Sequence, residues 1–556
     1  MMKRFAFGIG ILLIILVYSI LSFASIEGTR IKLNSPDETA NYFSARTLAQ
    51  TDEIGYAEPL LESSKGVVHP RSMTTAGDRV VPVGFLGLAM FYGTLGKIFG
   101  PYLILFFTPV LAVLSAWLLY LFLAYFFPMR VAALSGVLLL VHPAYWYYAS
   151  RGMLPNVLFV DFLLLGAWLL VAAYRSELLR VYFFSGIAMG LALTVRLSEA
   201  IWIIAALFLA AILSLPRRFV AITIVFLIGC ALPLAGLFAL NASVYGHPFI
   251  FGYQNGATYE SVAAFDRLMS LVSNFNIEQL PALREELDLM LEKARVYIVP
   301  FGYDPASFAK HFELYGISMF WWFTHPAHFG FYMVLPPGLY ECFLNKKREL
   351  ITYIFAFLLI SFWLVMYYGS WTFTDNINDE VTIGNSYVRY WLPFYILSIP
   401  FVAWVFVSFL RRGTWLVSRT LIVLATVVVM MFFSGKAVLY EYKDSVFPLI
   451  ENIKQYHASV EWILANTEED AVIFSQRSDK NFFPERKVAQ VFPEFAEKEF
   501  LPPLVARAPV YYYGMWNDED AAYISSRYLS EYDLALEYVA DFAAGERLFR
   551  VVYSVE

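Results

Sequence analysis

The chain has 556 residues, of which 59% are hydrophobic, 18% aromatic and only 15% charged, whereas about a quarter of the residues of an ordinary globular protein are charged. With a mean hydropathy of +0.59, this composition excludes an ordinary soluble protein and indicates a polytopic membrane protein. The net charge of −6 hides an acidic tail, because residues 434–556 hold 12 Lys and Arg against 21 Asp and Glu. The tail is therefore at −9 and the rest of the chain at +3. Without a basic stripe, no nucleic-acid partner is predicted.

The first apolar segment covers residues 5–24 and follows Lys3 and Arg4. About 20 apolar residues suffice to cross the hydrocarbon core of a bilayer. A cleaved signal peptide is the alternative, but residues 23–26 form only a weak small-residue cleavage pattern. We therefore predict an uncleaved spanning helix.

Ten further apolar runs follow, so eleven membrane spans are predicted in all. These runs are 102–126, 131–149, 156–174, 181–196, 199–215, 219–240, 317–344, 349–369, 389–410 and 415–433. The chain is thus predicted to be a polytopic α-helical protein of the plasma or inner membrane, in contact with membrane lipids.

The apolar run 82–99 would raise the count to twelve and invert every later span. The distribution of basic residues decides between the two topologies. With 82–99 as a re-entrant or interfacial helix, the basic residues of all the short loops lie on the side of Lys3 and Arg4, as the positive-inside rule requires. Gly93, Gly96 and Gly100 also interrupt the run. We therefore predict that it does not cross.

This topology places the large hydrophilic segments on the extracytoplasmic side. They comprise the external loops 25–101, 241–316 and 370–388 of a membrane domain, residues 1–433, and a C-terminal domain, residues 434–556. Apolar residues recur at helical spacing around Pro281, which predicts an amphipathic hairpin within 260–299. A helical stretch near 445–465 and alternating runs at 471–474 and 548–553 predict a small α/β domain in the tail. We assign this domain to acceptor choice or stability.

The sharpest local motif is residues 35–43, just after the first span. Ser35, Pro36 and Glu38 have the spacing of a helix N-cap, a first helical proline and the reciprocal acid of a capping box. A purely structural role is therefore one interpretation. The other is that the helix start holds the Asp37 carboxylate at the membrane face, where it accepts a proton from an attacking hydroxyl.

The Asp37-Glu38 pair in the first external loop resembles the catalytic loop of the GT-C integral-membrane glycosyltransferases, especially the protein O-mannosyltransferase and aminoarabinose transferase groups. Further segments resemble family elements in the same order across residues 5–433. They are Phe99-Gly100, 149–156, 193–196, 241–253 and 389–393. The resemblance implies a GT-C fold, a polyprenyl-phosphate sugar donor, and a glycan, lipid or protein acceptor.

The resemblance also implies roles for individual residues. Asp37, with Glu38, is the implied catalytic acid pair, and Asp37 is the general base. Many relatives carry a second acid where this chain has Asn156, and an amide binds a divalent ion less well than a carboxylate does. No metal site is therefore predicted, and a divalent cofactor is in doubt. Asp161 is either a shifted second acid or, as we favour, a buried carboxyl bonded to a neighbouring span.

Two arginines are candidates for binding the lipid phosphate. Arg196 either pairs with Glu199 or faces the phosphate, because a guanidinium fork matches phosphate oxygens. Arg389 begins a span from the outside, beside the interfacial aromatic Tyr390, and the positive-inside rule does not explain it. Asn156, Arg196, Arg389 and Tyr390, together with His69 and Arg71 of the first external loop, form the predicted substrate-binding set.

The predicted function is inverting transfer of a sugar from a polyprenyl-phosphate donor to an acceptor hydroxyl at the outer membrane face. A transporter or lipid flippase with an external ligand-binding domain is the alternative, but ionisable residues would then be expected at mid-membrane. A surface receptor would not need eleven spans. The two cysteines, Cys230 and Cys342, lie in apolar runs and indicate neither a disulfide nor a metal site.

Overall fold

A computed structural model describes residues 2–28, 30–214, 218–252, 302–343, 348–373, 380–411, 416–490, 498–542 and 545–554, with isolated positions between 253 and 301. The amphipathic hairpin predicted within 260–299 lies almost entirely outside the described residues.

The chain is mostly helical, and its apolar runs form the longer helices. The helices of the first half are α1 (Met2–Tyr18), α2 (Ile20–Ala24), α3 (Pro36–Thr51), α4 (Gly87–Phe99), α5 (Ile104–Leu123), α6 (Met129–Val141), α7 (Pro143–Ser150), α8 (Pro155–Ser176), α9 (Leu179–Val195), α10 (Ala200–Ser214) and α11 (Phe219–Tyr245). Those of the second half are α12 (Pro305–His311), α13 (Trp321–Phe343), α14 (Glu349–Gly369), α15 (Ser386–Tyr390), α16 (Leu392–Arg411), α17 (Leu416–Lys436), α18 (Val446–Asn466), α19 (Asp479–Phe482), α20 (Leu501–Val505) and α21 (Asp518–Ile524).

The strands are short and fall before α4 and after α18. They are β1 (Ile26–Glu27), β2 (Arg30–Ile31), β3 (Tyr56–Ala57), β4 (Met73–Ala76), β5 (Arg79–Pro82), β6 (Val472–Phe474), β7 (Lys487–Ala489), β8 (Val510–Gly514), β9 (Leu534–Asp541) and β10 (Arg547–Tyr553).

The described chain forms two compact units, each made of several segments of the sequence. The first unit comprises Met1–Ile20, Phe106–Ala239 and Gln254–Pro448, and the second comprises Leu21–Leu105, Leu240–Tyr253 and Leu449–Glu556. Each unit gathers segments that are far apart in sequence, and the division into domains at residue 433 stays a prediction.

The first unit holds most of the long apolar helices. Among the described residues of the whole chain, six helices are long and apolar enough to cross a membrane, or up to eight if each of two bent helix pairs is one span. One bent pair is α6 with α7, at 53°, and the other joins α9 to Leu197–Ile212, at 118°. The structure thus has several helices that could cross a membrane, as the sequence predicts, and the number of eleven spans stays a prediction.

Helix α4 corresponds to the apolar run 82–99. It has 13 residues and so extends about 20 Å, against about 30 Å of hydrocarbon core. It packs on α3 within the second unit, where a Cβ on Gly93 would lie 2.9 Å from the Ala45 carbonyl oxygen. This length fits the predicted helix that does not cross.

The second unit combines the segment that the sequence predicts to be the first external loop with the tail. The tail forms a five-stranded sheet in the order β7-β6-β8-β10-β9, with β6 parallel to β7 and β8, and β10 antiparallel to β8 and β9. One hydrophobic core contains Ala40, Met73 and Val80 of the first loop together with Ile473 and Leu548 of the tail. The loop and the tail are therefore parts of one folded body.

Candidate active site

The predicted capping box at the start of α3 is confirmed. Ser35 is the N-cap, its hydroxyl oxygen accepts a hydrogen bond from the backbone N–H of Asp37 at 3.2 Å, and Pro36 occupies the first turn. Glu38 Oε2 accepts from the backbone N–H of Ser35 at 3.1 Å, and the Glu38 side chain is buried. The cap fixes the direction in which α3 leaves the preceding segment, so it also fixes the position of Asp37.

Asp37 is half-buried in the first turn of α3 and has a hydrogen-bond donor from a distant segment. The Ser72 hydroxyl donates to Asp37 Oδ1 at 2.5 Å. Burial raises the pKa of Tyr42, on the same helix, to about 12. Tyr42 therefore stays protonated to a higher pH than an exposed tyrosine does.

His69 and Arg71 lie just before β4, in the same unit as Asp37. The Nδ1 atom of His69 lies 3.0 Å from the Pro70 carbonyl oxygen. The guanidinium of Arg71 pairs with Asp479, with Nε 2.7 Å from Oδ1. Asp479 has a fully buried side chain, so much of the Arg71 charge is balanced within the protein.

Of the two interpretations of Arg196, the ion pair with Glu199 is present in the first unit. Arg196 Nη2 donates to Glu199 Oε1 at 2.5 Å, and Nε donates to the same oxygen at 3.0 Å. The Tyr368 hydroxyl donates to that oxygen as well, at 2.5 Å. The second carboxylate oxygen of Glu199 accepts from Trp202 Nε1 at 2.5 Å. Both charged side chains are buried, so this pair joins three helical segments through a closed polar network.

The four predicted substrate-binding residues of the first unit lie around α15. The guanidinium carbons of Arg196 and Arg389 lie 4.6 and 5.0 Å from the centroid of the Tyr390 ring. Asn156 Nδ2 donates to the Arg389 carbonyl oxygen at 3.2 Å. Arg389 Nη2 donates to the Ser386 hydroxyl at 2.9 Å. The Tyr390 ring thus contacts both arginines that are candidates for binding the lipid phosphate.

A third arginine, Arg151, was not singled out by the sequence analysis. It is buried, its Nη1 donates to the Tyr147 hydroxyl at 3.3 Å, and that hydroxyl donates to the Asp444 carbonyl oxygen at 2.8 Å. Asp444 Oδ2 accepts from the backbone N–H of Gly384 at 2.9 Å. Gly384 lies two residues before the start of α15, the helix that carries Arg389. The only sequence signal for Arg151 is its place in the family-like segment 149–156.

The surroundings of Asp161 agree with the interpretation that it is a buried carboxyl bonded to neighbouring spans. Its Oδ1 atom accepts hydrogen bonds from Ser115 of α5 at 2.5 Å and from Tyr145 of α7 at 3.2 Å. The carboxyl is thus bonded to neighbouring helices. Among the described residues, no group of three or more His, Cys, Asp or Glu side chains could hold a metal ion.

The chain is similar to known proteins in part of its sequence and in its fold. A family model described as dolichyl-phosphate-mannose-protein mannosyltransferase matches residues 82–240. No curated protein matches the chain. Among solved structures, the archaeal oligosaccharyltransferase AglB from Archaeoglobus fulgidus, in complex with an inhibitory peptide and a dolichol-phosphate, is similar with a TM-score of 0.53 at 12% identity, covering 91% of this chain and 69% of that one.

A second similar structure covers nearly the whole of both chains. ArnT from Cupriavidus metallidurans, in the apo state, has a TM-score of 0.50 at 10% identity and covers 98% of this chain and 98% of its own. At such identities the likeness concerns the fold. The chain therefore has the fold of the GT-C integral-membrane glycosyltransferases, and the resemblance predicted from its sequence is confirmed.

Proposed function

We propose that this protein is a membrane glycosyltransferase that moves a sugar from a polyprenyl-phosphate-linked donor to an acceptor hydroxyl at the extracytoplasmic face. The observation that carries the proposal is the half-buried Asp37 carboxylate, which the α3 cap and the Ser72 hydroxyl hold in the first turn of a helix. The resemblance to GT-C glycosyltransferases implies a general base at this place, in the helix that follows the first apolar segment. The dolichol-phosphate in the AglB structure supports a lipid phosphate as the leaving group.

Asp37 acts as the general base in the proposed reaction. It accepts the proton of the acceptor hydroxyl as the hydroxyl oxygen forms a bond to the anomeric carbon of the sugar. The bond between the anomeric carbon and the phosphate oxygen breaks, and the polyprenyl phosphate leaves with the electron pair. Attack in line with the leaving group inverts the anomeric configuration.

Arg389 is the preferred residue for stabilising the departing phosphate. Arg196 donates two hydrogen bonds to Glu199, so its charge is already balanced by a buried carboxylate. The Arg389 guanidinium lies over the Tyr390 ring and donates to a neutral serine hydroxyl. A planar guanidinium suits phosphate oxygens, and stabilisation of developing charge in a dry site is commonly the largest catalytic contribution.

The test is release of polyprenyl phosphate from labelled polyprenyl-phosphate sugars by the purified protein. Asp37→Asn keeps the size of the side chain and suits a helix start, so the fold should survive while kcat falls by at least about a hundredfold. Asp52→Asn is the matched control, since Asp52 caps the other end of the same helix and makes an exposed ion pair with Lys97. Asp52→Asn should retain wild-type activity.

Two results would contradict the proposal. A wild-type protein that releases no lipid phosphate from any polyprenyl-phosphate sugar would remove the activity. An Asp37→Asn protein as active as the Asp52→Asn control would remove Asp37 from the mechanism and leave the capping role as its whole contribution.

A further inference from the structure

The turn before β4 has a serine in an unusual backbone conformation. Ser72 has a φ of +61°, in the left-handed region that residues other than glycine, asparagine and aspartate seldom adopt. Such a conformation persists where the surrounding structure over-determines it, and it is frequent at functional sites. We therefore expect contacts from neighbouring segments to stabilise the backbone conformation of Ser72.

Those contacts come from both sides of Ser72. The Ser72 carbonyl oxygen accepts from the backbone N–H of Val83 at 3.0 Å, beyond the β4–β5 hairpin. On the other side, Asp479 binds Arg71 twice: Oδ2 accepts from the Arg71 backbone N–H at 2.7 Å, and Oδ1 accepts from Arg71 Nε at 2.7 Å. The backbone is thus held immediately before and after the serine.

Asp479 belongs to the tail, 408 residues after Arg71. It begins the short helix α19, and its side chain is fully buried. A buried carboxylate needs charge-assisted hydrogen bonds to offset its loss of hydration, and Arg71 supplies two of them. Because both oxygens bind the same residue, this carboxylate fixes the orientation of the Arg71 peptide as well as its side chain.

The turn at Ser72 places the Ser72 hydroxyl against Asp37, the candidate base. The Ser72 hydroxyl donates to Asp37 Oδ1 at 2.5 Å, while the α3 cap fixes the backbone of Asp37. The backbone and the carboxylate of Asp37 are then restrained from two independent directions. A base restrained in this way spends more of its time in one geometry, and misplacement of a catalytic group by about 1 Å can cost about a hundredfold in rate.

We propose that Ser72 is a positioning residue for Asp37 and that Asp479 of the tail holds Ser72 in place. The inference rests on the proposed role of Asp37 as the general base. It also extends the role assigned to the tail, from acceptor choice or stability to the geometry of the bond-making step.

The decisive variant is Ser72→Gly. Glycine adopts a positive φ without steric cost, so this variant removes the hydroxyl without straining the turn. We expect an unchanged or raised melting temperature, a kcat lower by about tenfold to a hundredfold, and a KM for the lipid donor close to that of the wild type. Ser72→Asn should recover part of kcat, because asparagine tolerates the left-handed region and its amide donates hydrogen bonds.

Asp479→Asn tests the support supplied by the tail. It should lower kcat and speed amide hydrogen exchange in residues 71–73 of the full-length protein. The matched control is Lys65→Gln, which breaks an exposed ion pair between the first loop and the tail, Lys65 Nζ to Glu499 Oε2 at 2.7 Å. The control should leave kcat and the exchange of residues 71–73 unchanged.

The outcomes separate this inference from the proposed function. In an Asp37→Asn background, Ser72→Gly should cause no further loss of kcat. Full activity of Ser72→Gly beside an inactive Asp37→Asn would overturn the positioning role and leave the base assignment intact. A protein without transferase activity would refute the proposed function. Unchanged exchange in Asp479→Asn would independently refute the support from the tail.

Discussion

Glu38 and Asp37 are neighbours with different surroundings. Glu38 is buried and accepts the N-cap N–H, whereas Asp37 is half-buried and accepts a hydroxyl from another segment. Glu38→Gln keeps an acceptor for the cap, so activity and melting temperature should change little. Glu38→Ala removes the acceptor and should lower the free energy of unfolding by about 1 kcal/mol. A large loss of kcat in a stable Glu38→Gln protein would instead assign Glu38 to the chemistry.

The two arginines beside Tyr390 should respond oppositely to substitution. Arg196→Gln leaves Glu199 as a buried, uncompensated charge and should reduce stability by about 3–5 kcal/mol. Arg389→Gln removes a guanidinium that donates to a serine hydroxyl and lies over the Tyr390 ring, so the melting temperature should change less while kcat falls. Arg389→Lys should rescue only partly, because an ammonium lacks the planar fork.

Thermal melts and donor turnover on the same preparations check this contrast. A stable but inactive Arg196→Gln protein beside a fully active Arg389→Gln protein would exchange the two roles. Asn156→Ala should give an intermediate loss of kcat, since Asn156 binds the Arg389 carbonyl oxygen and so orients the segment that carries the arginine.

At the scale of elements, α9 and α11 approach each other at glycines. A Cβ on Gly186 would lie 2.1 Å from the Phe226 carbonyl oxygen, and one on Gly190 would lie 2.5 Å from that of Cys230. Small residues allow such close backbone approach between helices in membranes, where packing and not the hydrophobic effect drives association. The tight contact between α9 and α11, called the α9–α11 seam below, therefore requires glycine at these two positions.

Gly186→Ala should destabilise the protein by about 1–3 kcal/mol through overpacking. Gly236→Ala is the matched control on α11, where an added Cβ meets nothing within 4 Å. There the higher helix propensity of alanine should leave stability equal or slightly raised. The measurement is unfolding of both variants in the same detergent. Equal unfolding midpoints for Gly186→Ala and Gly236→Ala would argue against a tight α9–α11 seam.

At the scale of the whole molecule, the sidedness of the chain is open to a labelling experiment. Ser176, at the end of α8, and Asp518, at the start of α21, are both exposed. In a background with Cys230→Ala and Cys342→Ala, Asp518→Cys should react with an impermeant maleimide in intact cells, and Ser176→Cys only after permeabilisation. Labelling of both sites in intact cells would invalidate the predicted topology and the outer-face location of the reaction.

Much of this protein is determined by local sequence. The capping box needs only Ser35, Pro36 and Glu38 within one turn, so it was predicted. The Arg196–Glu199 pair needs only a spacing of three residues, so it was one of the two interpretations of Arg196. The apolar runs likewise predict the long helices, because about 20 apolar residues are stable mainly in a bilayer. The exact number of spans depends on more than local sequence, because a bent pair such as α9 with Leu197–Ile212 is either a broken span or a re-entrant loop.

The environment of Asp37 was decided by the tertiary structure. Ser72 lies 35 residues from Asp37, and Asp479 lies 408 residues from Arg71; no periodicity or motif spacing links groups so far apart. The same holds for Tyr368 beside Arg196 and for Asp444 beside Tyr147. Sequence therefore determined which residues carry charge and where helices begin. Only the folding of the first loop and the tail around one core decided which hydroxyl meets the candidate base, because that contact depends on packing between distant segments.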